Sequence, residues 1–285
     1  MNFLKKLGCA AAVSLAMAGT ANAGPVLNDW VFNPNGGGFA NGQTINESLD
    51  VNGNAFIQIT PTGGSGFSFR EHAVFNIVQA DSNGQLFPVN YTGGNITATF
   101  EAVGTGNFSG AFSFTSGTIR MYQNPAGGQY GTTAGFYGAN LGTQIAEFNV
   151  IVGGGGTVDA NGSPISNGQV SIFAEAKPGM LKSGYFFDGS GTDLSNSSLL
   201  AFAFTNANTV SRPTNNQIKE IACEFSEFKG NGCGRGTYRN VAGQHFFVGG
   251  NGQFKLAEVP EPASVALFGV ALAAIGAARS RKKSA

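Results

Sequence analysis

The chain has 285 residues, 44 of them glycine and 25 phenylalanine, with 42% apolar and only 11% charged residues. That apolar share can support a buried core and excludes a disordered chain. Sixteen basic residues offset sixteen acidic ones over the whole chain, but six of the basic ones lie in the two terminal segments, so the remainder is acidic and lacks the basic face a nucleic-acid partner would want.

The first element is a leader. Lys5 and Lys6 precede an apolar run from Leu7 to Ala18, and Ala21-Asn22-Ala23 follows. A basic start, a short apolar stretch and an A-x-A site make a secretory signal peptide. Cleavage after Ala23 starts the mature chain at Gly24, which implies the Sec machinery and a signal peptidase as partners. Cys9 lies at the very start of the apolar run, close to Lys6, which disfavours a lipoprotein reading.

Residues 24–258 read as an exported all-β domain. "NAFIQIT", "GFSFREHAVFNIVQA", "NITATFEAVG", "TQIAEFNVIVGGGG", "GQVSIFAEA", "SLLAFAFTNA" and "QHFFVGGNGQFKLAEV" are strand-like runs bounded by Gly, Asn or Pro. The alternation is cleanest at Ile96, Ala98, Phe100 and Ala102. "GAFSFTSGTIRMYQN" reads as two short strands around Ser116-Gly117, and Ile218–Phe228 as a further strand. Many short strands separated by turn residues predict a sandwich or jelly-roll-like fold with free strand edges. Without the two leader lysines and four basic residues at the C-terminus, ten basic residues face sixteen acidic ones, a net charge of −6.

Motifs for chemistry are scarce. The chain lacks a G-x-S-x-G elbow, H-E-x-x-H, a P-loop and G-x-G-x-x-G, so no catalytic residues and no cofactor are expected. Its two histidines are His72 and His245. Arg70-Glu71-His72 places Arg70 and His72 on one strand face and Glu71 on the other; a solvent face or a satisfied polar cluster is the expectation. Asp188-x-Ser190-x-Thr192 looks like the metal loop of von Willebrand A-type adhesion domains. The surrounding sequence lacks that family's βαβ context, so this is a weak metal candidate beside a plain Gly-rich turn. Cys223 and Cys233 flank a turn at Gly230-Asn231-Gly232. In an exported chain a disulfide is their simplest reading, with metal ligation as the rival.

The last element is a tail. Val259-Pro260-Glu261-Pro262 leads into Ala263–Ala278, 16 residues without a charge, and then into Arg279, Arg281, Lys282 and Lys283. As a helix the uncharged run would be about 24 Å long, short for a ~30 Å hydrocarbon core. It can still span if the bilayer thins or Arg279 snorkels. The basic residues would lie inside and everything before the span outside. Ten of the 16 residues are Ala, Gly or Ser, which lets another helix approach closely.

Residues 259–285 closely resemble the PEP-CTERM sorting signal. The resemblance implies an exosortase that recognises Pro260-Glu261-Pro262, transient anchoring in the inner membrane, and transfer to the cell surface or extracellular matrix. "GPVLNDWVFNPNGGG" and "FREHAVFNIVQADSNG" look like the flocculation-associated branch of these proteins. That implies a matrix protein promoting flocculation or biofilm formation with exopolysaccharide. The alternative is an exported carbohydrate-binding or polysaccharide-active β-sandwich enzyme, with Trp30, Tyr91, Tyr122, Tyr130 and Tyr137 as aromatic candidates for stacking on sugars.

Overall fold

Two-residue periodicity builds most of the structure. This computed structural model describes residues 26–82, 85–89, 95–124, 130–165 and 168–259. In chain order the strands are β1 (Trp30–Phe32), β2 (Gln43–Ile45), β3 (Ser48–Gly63), β4 (Gly66–Ser82), β5 (Gln85–Pro88), β6 (Asn95–Asn107), β7 (Ala111–Asn124), β8 (Thr143–Val150), β9 (Gly153–Thr157), β10 (Gln169–Ala176), β11 (Phe186–Phe187), β12 (Leu199–Val210) and β13 (His245–Glu258).

The all-β class expected from the sequence holds. The large sheet runs β12-β13-β3-β4-β6-β7-β8-β10, and β10 pairs back onto β12. These eight strands close on themselves into a barrel, so the sheet has no open edge along the ring. β9 fills the gap between β7 and β10, and β5 lies along β4. The free edges expected from many short strands are confined to the small pieces. One of these is a three-stranded sheet, β11-β1-β2. The ring strands are also long, up to 17 residues in β4.

Alternation sorts side chains to two sides of the wall. Phe67, Phe69, Ala73 and Ile77 of β4 join the interior core, as do Ile96, Ala98, Phe100 and Ala102 of β6. Phe148 on β8 meets Phe254 on β13 across that core, ring centroids 5.4 Å apart. Phe56, Val74 and Phe247 face the other way, into a second apolar cluster outside the ring.

That second cluster corrects one expectation. Ile218–Phe228 is not a strand: Asn215–Gln217 forms an α-helical turn that continues as a π-helix over Ile218–Phe225. Thr214 and Gln217 make a reciprocal capping box, with bonds of 3.2 and 2.7 Å. Ile218, Ile221, Ala222 and Phe225 then recur at helical spacing and cover Phe56, Val74 and Phe247. The helix is tied to the wall where Gln217 Nε2 donates to Asn54 Oδ1 (2.6 Å) and Ser226 Oγ donates to Gln58 Oε1 (2.7 Å).

A second correction concerns "GAFSFTSGTIRMYQN". It is one strand, β7, not two. Val103 pairs with Ser116 and Gly104 with Phe114, leaving Thr115 as an extra residue in a bulge. A bulge bends a strand without ending it. "TQIAEFNVIVGGGG", read as one strand-like run, is two strands: β8 ends at Val150, and Gly153–Thr157 is β9.

Candidate functional site

The sequence candidates scatter. The sulfurs of Cys223 and Cys233 lie at disulfide distance, with Cα atoms 5.4 Å apart, in the segment that caps the outer cluster. Asp188 Oδ1 accepts bonds from Ser190 N (2.8 Å), Ser190 Oγ (2.7 Å) and Thr192 N (2.8 Å). Burial pushes this carboxyl's pKa up, but those donors outweigh it and hold the pKa below its ordinary value. The loop satisfies itself as a turn, and a cation would have to displace three donors. Among the described residues no three His, Cys, Asp or Glu side chains gather as a metal group.

The aromatic candidates do not form a platform. Trp30 is buried and stacked on Phe186 at 6.3 Å. Tyr130 takes a bond from Asn54 Nδ2 and donates to Val74 O, both 3.0 Å. Tyr137 packs edge-on against Tyr130 at 5.1 Å. Tyr122 is half-buried, and Tyr91 lies outside the described residues.

The Arg70-Glu71-His72 triplet splits across the wall. Arg70 is exposed, and His72 packs edge-on against Phe225 at 4.8 Å. Burial lowers the pKa of His72, and likewise that of His245, which sits against Phe228 at 4.7 Å. Glu71 turns inward, opposite Ile57 on β3 and Ala102 on β6. It has no hydrogen-bond or ion-pair partner among the described residues. It also lines an apolar void of about 50 Å³. Burial pushes its pKa up to about 7.

A broad concavity among the described residues was not among the sequence candidates. It is a groove of about 620 Å³ on the ring, crossing β4, β3, β13, β12 and β10, with Leu86 of β5 at one side. Its size falls in the range of ligand sites, about 300–1,000 Å³. Strand register sets polar side chains in two rows. Asn52 pairs with Asn251 and Gln169 with Asn206; Gln79 pairs with Asp50 and Asp50 with Gln253. Neighbouring strands are ~4.8 Å apart, so each row offers a polar group at about that interval.

Gly250 and Gly252 of β13 let the backbone of β12 approach closely beside the groove. A Cβ at either would collide with the carbonyl oxygens of Asn206 and Phe204 on β12. Phe204 is 44% exposed and Leu86 57%, which gives the groove two apolar faces. The pKa of Asp50 is raised by burial first and by nearby Asp81 second, against a bond from Gln253. Among the described residues no Lys, Arg or His lines the groove.

The chain's address follows the last strand without a spacer. β13 ends at Glu258, and Val259 is the last described residue. Pro260, Glu261, Pro262, the span Ala263–Ala278 and the basic residues Arg279, Arg281, Lys282 and Lys283 lie outside the described residues. So do Ala21, Ala23 and Gly24 at the leader's cleavage site. A family model settles the tail. Residues 258–282 match the PEP-CTERM protein-sorting motif. Comparison with curated proteins and with solved structures gave no match. The PEP-CTERM motif marks the chain for sorting by an exosortase to the cell surface or the extracellular space.

Proposed function

We propose that the chain is a cell-surface or matrix protein that promotes flocculation or biofilm formation together with exopolysaccharide. The leader would be cleaved after Ala23, the exosortase would act at Pro260-Glu261-Pro262, and the β-domain would be displayed outside. The observation that supports this reading most is the polar groove on a domain joined directly to the PEP-CTERM motif. A closed ring has no edge strand to add to a neighbour, so side chains, not strand addition along the ring, would hold a partner.

Holding rather than cutting is the favoured role. Glycoside hydrolysis generally needs two carboxyl groups flanking one bond. Asp50 lines the groove, whereas Asp81 does not. The test is a gene deletion scored for settling and secreted polysaccharide together. Lost clumping with unchanged polysaccharide, restored by the full-length gene, supports the matrix role. Unchanged clumping, or polysaccharide altered in chain length, refutes it.

A further inference from the structure

We infer that the groove across β4, β3, β13, β12 and β10 is a binding site for an uncharged glycan segment, built to exclude acidic sugars. This rests on the matrix reading and adds to it the place of contact and the ligand's charge class.

The lining decides the chemistry. The side chains of Asn52, Gln79, Gln169, Asn206 and Asn251 have no hydrogen-bond partner among the described residues. Each amide offers two donors and an acceptor, and so does the ligand's need: a sugar hydroxyl both donates and accepts. An apolar ligand would leave five amides unmatched. An anionic ligand would want Arg or Lys, which form the strong charge-assisted bonds to carboxylate, sulfate or phosphate. Among the described residues the groove has neither, and their one ionisable lining group, Asp50, repels anions whenever it is ionised.

The two apolar faces fit the same ligand. Phe204 presents its ring beside the amide rows, and Leu86 borders the groove from β5. Sugar rings carry C–H faces that pack on such surfaces while their hydroxyls reach sideways. A volume of about 620 Å³ takes a segment on the order of a few sugar rings, which suits one stretch of a longer chain lying across the strands.

The experiment uses mature protein recovered from producing cells that express the full-length gene. Wild type, the double variant Asn206→Ala/Asn251→Ala, and Phe204→Ala are run by affinity electrophoresis. The gels contain dextran, galactomannan or alginate. All three changes are on exposed side chains, and thermal melting verifies that the variants are folded. Wild type should be retarded by at least one neutral polymer and not by alginate. Each variant should bind that polymer about tenfold more weakly. Retention undiminished in both variants overturns the groove while leaving the matrix reading standing. Stronger retention by alginate than by the neutral polymers overturns the charge class. No retention by any polymer overturns the groove; the deletion strain then shows whether the matrix reading falls with it, as it does if clumping is unchanged.

Discussion

Glu71→Gln should abolish a fall in stability as pH rises towards neutrality. In the unfolded chain Glu71 titrates near 4.5, and inside the barrel its pKa is pushed up to about 7. At pH below 4.5 both states hold the proton. Between about 4.5 and 7 the unfolded chain has released it while the folded barrel retains it, so stability declines as pH rises. Above about 7 both states are ionised and the loss is complete. The difference corresponds to about 3 kcal/mol. Other groups titrate too, and His72 and His245, with lowered values, act in the opposite direction. The comparison with Glu71→Gln isolates the one carboxyl. Urea unfolding of the mature, oxidised protein from about pH 4 to about pH 8.5 gives the curves. Wild type should lose about 3 kcal/mol relative to the variant across the window. Parallel curves would refute the argument and would mean that water in the adjoining void solvates the carboxylate.

Replacing both Cys223 and Cys233 with Ser should cost about 3 kcal/mol by the loop-closure estimate, read from urea midpoints; non-reducing peptide mapping of the wild type that finds two free thiols would contradict it. Thr214→Ala removes half of the capping box and should cost about 1 kcal/mol, seen as a lower Tm. Changing Pro260, Glu261 and Pro262 together to Ala should leave the chain in the inner-membrane fraction, and normal arrival at the surface would defeat the sorting role.

Local order was readable before the structure, and closure was not. Ile96, Ala98, Phe100 and Ala102 alternate in sequence and all four point into the core. The cap was legible but missed: Thr214-x-x-Gln217 before apolar residues at helical spacing is a helix-start signature. The ring depends on pairs such as Lys255 with Ser48, which no local pattern encodes. The groove is hidden for a related reason, since its amides come from strands far apart in the chain. "SLLAFAFTNA" even misleads. Its small Ala201 and Ala203 pack with the core, while the large Phe204 is exposed.

The place of β13 in the ring gives the molecule a mechanical axis. Tension applied through the chain beyond Val259 enters the domain at the end of β13, and any component of it along the strand acts on that strand's ladders. The ladder to β3, from His245 opposite Gln58 to Lys255 opposite Ser48, would be loaded in shear, with its bonds sharing the force instead of peeling one by one. Asn251 and Gln253 sit on that same strand. A polymer gripped there would be joined to the sorting end through five residues beyond Gln253, about 17 Å of extended chain. The capping helix is tied to that same ladder through Asn54 and Gln58 of β3 and covers Phe247 of β13, so it would brace the strand pair that carries the load.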